Sequence, residues 1–418
     1  VTVPEIQSKL LMSGQNMVGY FVGEENVFAF VISEKKFTVV PIVKEFPLEA
    51  WVEEFRNSIY QFNPASKEVA FLSQKYSNLG FELYQLLFEP IRPLLSGNQL
   101  VILPGGVLGY LPFDALLATA SEEENRYDKN DYLLNHFQIS YSYSATLHKE
   151  MMGRNSGWKH GGFVGFAPSY GGDSLNMRSN DPWRAVLGNL KYNKTEVRSI
   201  QRIMGGKTYL DSTATEQKFL EEGPNAGILH LAVHAKSNDE HGEYSYLAFY
   251  QTADSLENEL VFVKDLYSLR IKAALVVLSA CETGIGELQR GEGIVSLARG
   301  FSYAGAASIV TTLWSIDDYA SAEIMEMFYE NLKKGDTKDA ALRKAKLAYL
   351  SHNKNTNAAH PLYWAAFIPV GDMSAIKDGG IPIWAWPALA ALVIFLVFAW
   401  KKRRLSLLHQ LSYPHFLA

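Results

Sequence analysis

Cysteine is nearly missing from this chain: Cys281 is the single one among 418 residues. That excludes an intrachain disulfide framework and any Cys-rich zinc site. A basic excess is missing too. The formal net charge is −5, which gives no electrostatic reason to expect a nucleic-acid partner. No Gly-x4-Gly-Lys-Ser/Thr phosphate loop occurs, and no complete Gly-x-Gly-x-x-Gly. A Cys-x5-Arg phosphatase loop would need arginine at position 287, where Glu287 stands. His241, His352 and His360 have no metal-like spacing with carboxylates, so neither metal nor cofactor is expected. The chain starts at Val1 with no charged-then-apolar leader, and its start does not report on secretion.

What is present describes a folded chain. Hydrophobic residues make up 48% and charged residues 20%, enough apolar surface for a sizeable core and a length that admits two or three domains. The first part reads as strands Met17–Val22, Val27–Ile32 and Phe37–Val40, with Gly23-Glu-Glu-Asn26 and Ser33-Glu-Lys-Lys36 as hairpin joins. Helices are expected over Pro47–Phe62 and Ser77–Leu94, a buried strand at Leu100–Leu103, and another helix starting in Leu111–Leu117 behind Pro112. After residue 150 strands and helices alternate. Apolar runs at Gly162–Ala167, Ile228–Val233, Ala273–Ser279, Ala307–Leu313 and Trp364–Val370 alternate with helical patterns over Asn193–Met204, Thr213–Glu221, Glu292–Ala304, Tyr319–Lys334 and Lys338–Ser351. Thr213 and Glu216 there are spaced as a capping box. This predicts an α/β fold whose mostly parallel sheet is flanked by helices. The expected organisation is an N-terminal α/β part over 1–150, a core over 151–372, a linker over 373–380, a membrane helix over 381–400 and a basic tail over 401–418.

The tail departs from the rest. Ile381 to Trp400 carries no charge; its roughly 20 residues would cover about 30 Å as a helix, the hydrocarbon thickness of a bilayer. Trp384 and Trp386 stand at one end and Trp400 at the other, with Lys401-Lys-Arg-Arg404 directly after. The pattern predicts a single-pass anchor. By the positive-inside rule the cations mark the cytoplasmic side and put the large domain outside it.

The chemistry points to two strand ends. Leu275–Leu278 leads into Ser279-Ala-Cys281-Glu-Thr-Gly284, and Ile228–Val233 leads into His234. In an open α/β sheet, reactive groups collect outside the carboxyl ends of the strands. If the two strands are neighbours, imidazole and thiol come within reach. His234 can then take the thiol proton or hold a thiolate as an ion pair, and the thiolate is the nucleophile. The oxyanion formed on the attacked carbonyl needs fixed donors. The backbone N–H groups of Cys281 and of Ala235, just after His234, are the available ones. Gly284 and Gly286 allow a tight loop there. A lone cysteine at a strand end is often just a small buried hydrophobe, and His230 reads as a structural histidine.

Taken together, Leu229-His-Leu-Ala-Val-His-Ala235, Val277-Leu-Ser-Ala-Cys-Glu-Thr-Gly284, Gly291-Glu-Gly-Ile-Val-Ser-Leu-Ala-Arg299, Phe301, Ala304-Gly-Ala306 and Leu313-Trp-Ser-Ile-Asp-Asp318 resemble a CHAT domain. That is the caspase-like module found with tetratricopeptide repeats in bacteria and related to separase. Leu111-Pro-Phe-Asp-Ala-Leu116 resembles the start of such domains, and the likeness covers roughly residues 1–372. The resemblance implies a caspase-like sheet and a cysteine endopeptidase with a His–Cys dyad, matched by His234 and Cys281. The dyad separation of about 50 residues is caspase-like, although the local caspase signature around the cysteine is not matched. Many relatives have glycine after the histidine, where Ala235 stands here. The family's tetratricopeptide array would lie upstream of Val1.

Asp317 and Asp318 follow the strand Ala307–Leu313 at its carboxyl end. As pocket carboxylates they would favour arginine or lysine at the cleaved position of a protein or peptide substrate. As residues before a helix they would serve as its cap. Two functions therefore stand side by side: a membrane-anchored cysteine endopeptidase governed by an upstream sensor segment, and a catalytically inert interaction or signalling scaffold of the same shape.

Overall fold

The apolar runs at the start of the chain, broken by two short polar joins, fold as an antiparallel meander of β1 (Gln15–Val22), β2 (Asn26–Ile32) and β3 (Phe37–Val43). The computed structural model describes residues 1–121, 123, 125–154, 161–170, 190–238, 240–250, 259–279, 284, 286–289, 293–376 and 391. β3 is an outer edge of the sheet, and it contains Pro41. A proline lacks the N–H that a pairing strand would use and is therefore confined to edges.

From β1 the sheet continues through β4 (Gln99–Leu103), β5 (Gln138–Tyr141) and β16 (Phe367–Gly371), each parallel to the last. Direction then reverses. β15 (Ser308–Thr312) is antiparallel to β16, and β12 (Leu275–Leu278), β8 (Ile228–Leu231), β6 (Phe163–Ala167) and β7 (Lys207–Leu210) follow in parallel. Among the described residues the result is one sheet of 11 strands in the order β3-β2-β1-β4-β5-β16-β15-β12-β8-β6-β7. Two small sheets stand apart from it: β9 (His234–Lys236), β10 (Tyr246–Ala248) and β11 (Leu260–Phe262), and the hairpin β13 (Glu287–Gln289) with β14 (Gly293–Val295). All residues of β6, β8, β12, β15 and β16 are buried. Continuous apolar runs such as Leu275-Val-Val-Leu278 are stable only where both sheet faces are covered.

The covering helices are α1 (Leu48–Tyr60), α2 (Val69–Leu87), α3 (Ala145–Gly153), α4 (Asn193–Met204), α5 (Glu216–Glu222), α6 (Leu297–Ala304), α7 (Asp318–Lys333) and α8 (Lys338–His352). α4, α7 and α8 pack side by side. α5 and α6 meet through Phe219 and Phe301, whose ring centroids are 6.4 Å apart. Gly305 ends α6 at φ 117, where a Cβ would meet the Ile271 carbonyl oxygen at 2.7 Å; only glycine suits that left-handed, crowded position.

Three local expectations are corrected. Leu111–Leu117 does not start a helix; it holds only a short 3-10 turn at Phe113–Ala115. Leu116 turns extended, and the Leu117 N–H donates to the Gly80 carbonyl at 3.2 Å. The cap of α5 is Thr215, which accepts the Lys218 N–H at 3.2 Å, whereas Thr213 accepts the Leu210 N–H and closes the preceding turn. The helix expected from Glu292 begins at Leu297, because residues 293–295 pair as β14; Ser296 caps it by accepting the Arg299 N–H at 3.3 Å.

Chain order fixes where a site belongs. β6 is followed by β7 on one side, then by β8, β12 and β15 on the other. The switch in direction falls between β6 and β8, and the crevice outside their carboxyl ends is where such sheets bind ligands. Residues Val1–Ile376 form one compact unit. Among the described residues no helix is long and apolar enough to cross a membrane. The expected span Ile381–Trp400 and Lys401–Arg404 lie outside the described residues.

Candidate active site

Two histidines four residues apart leave β8 in different settings. His230, inside the strand, is fully buried. Its Nε2 lies 2.9 Å from Glu196 Oε1 on α4 and its Nδ1 lies 3.1 Å from the Tyr329 hydroxyl on α7. Both ring nitrogens are occupied, so His230 ties β8 to two helices. Beyond Leu231 the chain leaves the large sheet, and His234 opens β9, opposite Ala248 of β10. His234 is half-buried. Its backbone N–H donates to the Tyr170 hydroxyl at 2.8 Å, and its ring lies against that of Tyr170 with centroids 4.6 Å apart. Ala235 follows in β9, opposite Leu247.

β12 is the direct parallel neighbour of β8, with Leu278 paired to Leu231. Position 234 is three residues past its strand's paired end, and so is position 281. Cys281 itself lies outside the described residues. On either side of it the chain is held. The Ser279 hydroxyl is 2.9 Å from that of Ser321 on α7. Gly284 donates its N–H to the Thr312 carbonyl at the end of β15, at 2.7 Å. A Cβ at Gly284 would meet that oxygen at 3.0 Å, so this close approach needs a small residue. The Gly286 carbonyl accepts from the Tyr110 hydroxyl at 2.8 Å.

Between these strand ends lies a pocket. Thr312 and Phe367 line it from the sheet, Val233, Ser279 and Ile316 from the segments that follow β8, β12 and β15, Leu190, Asn193 and Glu196 from the start of α4, and Asp318 and Ser321 from the start of α7. Asn193 pins α4 there, its Nδ2 donating to the carbonyls of Pro168 at 2.9 Å and Ala232 at 3.3 Å. Asp317 and Asp318 separate in role. Asp317 Oδ1 accepts the N–H groups of Tyr319 and Ala320, both at 3.1 Å, and so caps α7. Asp318 faces the pocket, with Oδ2 accepting the Lys191 N–H at 3.0 Å. Burial pushes its carboxyl above the usual range; the Lys191 hydrogen bond and the charge of His234 pull the other way, and Asp317 and Glu196 push with burial.

Sequence reasoning missed Glu196, Asn193, Ser321 and Tyr170. For Glu196 a signal existed. It shares the inward face of α4 with Asn193, Val197 and Ile200, and a carboxylate on an otherwise covered face needs a partner. Tyr170 had no such pattern around it.

The comparisons with known proteins bear on the family and the fold. The CHAT domain matches residues 77–372. Tetratricopeptide repeat protein 28 of Mus musculus is 24% identical over 331 residues, covering 69% of this chain and 13% of that protein. Its Homo sapiens counterpart is 23% identical over 328 residues, with the same coverage of 69% and 13%. The chain thus spans a small part of these relatives. A crystal structure of the Saccharomyces cerevisiae separase–securin complex superposes with a TM-score of 0.54 at 11% identity, over 88% of this chain and 30% of that one. That likeness is one of fold: a large, mostly parallel sheet flanked by helices. With most of its length matched, the chain belongs to the CHAT-domain family.

Proposed function

We propose that the chain is a caspase-like cysteine endopeptidase in which His234 and Cys281 form the dyad. The observation that carries this is the pairing of β8 with β12, Leu231 opposite Leu278, with each reactive position three residues further along its own sequence. In this reading His234 accepts the Cys281 thiol proton, and the thiolate attacks the scissile carbonyl. The N–H groups of Cys281 and Ala235 hold the oxyanion. The imidazolium returns its proton to the leaving amine, and water then hydrolyses the thioester. Asp318 in the pocket supports a preference for arginine or lysine at the cleaved position. Asp317 is engaged as a cap, and Glu196 already partners His230. Ile381–Trp400 would anchor the domain to a membrane, and upstream repeats would act as the sensor.

The second reading, an interaction module with an inert dyad, is favoured by the name of the relatives, which speaks of tetratricopeptide repeats and of no peptidase. One experiment separates the two. An electrophilic peptide ending in arginine is expected to label the full chain covalently, with labelling lost in Cys281→Ala and slowed at least tenfold in His234→Ala. The labelled chain, made in membranes, is expected to resist alkaline carbonate extraction. Absence of labelling under every activating condition leaves the scaffold; release by carbonate removes the anchor.

A further inference from the structure

The chemistry above gives no task to Tyr170, a buried side chain beside His234. Tyr170, three residues past β6, is 1% exposed, and its hydroxyl is spliced into the β9–β10 ladder. His234 stands opposite Ala248. The His234 N–H donates to Tyr170 Oη at 2.8 Å, and that hydroxyl donates to the Ala248 carbonyl at 2.7 Å. A carbonyl can only accept and an amide N–H only donate, so the direction of the hydroxyl proton is fixed. The phenol ring lies on the imidazole, centroids 4.6 Å apart and planes inclined by 56°. One rigid side chain thus holds both the backbone and the ring of His234. For packing alone, phenylalanine would fill the same space among Tyr246, Ala248 and Leu260.

We propose that Tyr170 is a positioning residue for the His234 imidazole, an inference that rests on the dyad reading. Without its hydroxyl, the His234 N–H and the Ala248 carbonyl lose their shared partner in a buried place, and β9 must shift to regain one. Small displacements of a general base are costly to rate.

The test uses the full chain as wild type, Tyr170→Phe, His234→Ala and the double variant. Labelling of Cys281 by the electrophilic peptide is resolved into a binding constant and a chemical rate. Tyr170→Phe is expected to melt cooperatively and to bind the peptide as before. Its chemical rate should fall roughly tenfold or more. In the His234→Ala background the same substitution should change that rate by less than about twofold, because Tyr170 acts through a side chain no longer there. An equal drop in both backgrounds overturns the proposal in favour of a general structural role. An unchanged rate in Tyr170→Phe, with His234→Ala slow, overturns it and leaves the dyad standing. If His234→Ala labels at the wild-type rate, the dyad reading fails and the proposal with it. Independently of Cys281, the His234 Cε1–H resonance, assigned by its loss in His234→Ala, is expected to move in Tyr170→Phe; an unmoved resonance also overturns the proposal.

Discussion

Asp317 and Asp318 are adjacent, identical and differently employed, so a pair of single substitutions can tell pocket from cap. Asp317 spends its carboxylate on two N–H groups of α7. Replacing it by alanine is expected to cost roughly 1 kcal/mol of stability, the usual value of such a cap, and to leave substrate preference alone. Asp318 keeps a carboxylate that faces the pocket. Asp318→Asn preserves the shape and the acceptor for the Lys191 N–H while removing the charge. Cleavage or labelling of peptides with arginine at the cleaved position, measured against a neutral isostere, is expected to lose about ten- to a hundredfold of its advantage, the worth of one charge-assisted contact. An unaltered preference in Asp318→Asn would remove this residue from recognition. The sequence alone left both roles open for both residues. Which oxygen meets a helix N–H depends on how the chain enters α7 after the bend at Leu313 and Trp314, a matter of backbone direction that residue types do not encode.

At the scale of elements, legibility followed the range over which each element is determined. β8, β12 and β15 could be read directly, because strands buried on both faces are continuous apolar runs. α4 and α7 could be read because their buried positions recur at three and four residues. β9, β10 and β11 could not. Each has three residues, too few for a period, and they form only by pairing with one another. β5, four residues beginning Gln138-Ile139, was likewise silent. The site inherits this division. The strand ends bearing His234 and Cys281 were readable, while Tyr170, which braces the first of them across the small sheet, was not. α3 carries a further consequence that only packing reveals. His148 on its inner side is 3% exposed, and its Nδ1 has no hydrogen-bond partner. Burial pushes its pKa down from 6.5 to about 4, with Asp372 drawing it back slightly. The unfolded chain therefore takes up this proton first as pH falls. The contribution is fully present above about pH 6.5 and is lost between there and about pH 4, amounting to roughly 3 kcal/mol. His148→Leu, which cannot bind the proton, is expected to flatten the stability profile in that window. Urea midpoints at pH 7 and pH 4.5 that fall equally in both proteins would contradict this.

Across the whole molecule, what joins the first 150 residues to the rest is as buried as either part. β5 carries the sheet onto β16 through Tyr141 opposite Val370, and beside that seam Lys346 of α8 forms an ion pair with Asp114 of the turn Phe113–Ala115. The side chains are 0% and 6% exposed, so neither charge has water to fall back on. A buried pair contributes little net stability when intact, because desolvation offsets attraction; removing one partner strands the other. Lys346→Met is therefore expected to cost roughly 3–5 kcal/mol, and Lys346→Met with Asp114→Leu to recover most of it. The form of the transition is as telling as its midpoint. With one sheet through Val1–Ile376, the single variant is expected to shift one cooperative urea transition rather than to split it, because neither part retains a covered sheet face once the seam opens. Fluorescence from Trp51 in the first part and Trp314 in the second reports the two sides separately, in variants where the other tryptophans are replaced. Non-coincident curves would mean that the halves fold independently, and that the Tyr110 hydroxyl on the Gly286 carbonyl joins the loop after Cys281 to a neighbouring domain rather than to part of its own core.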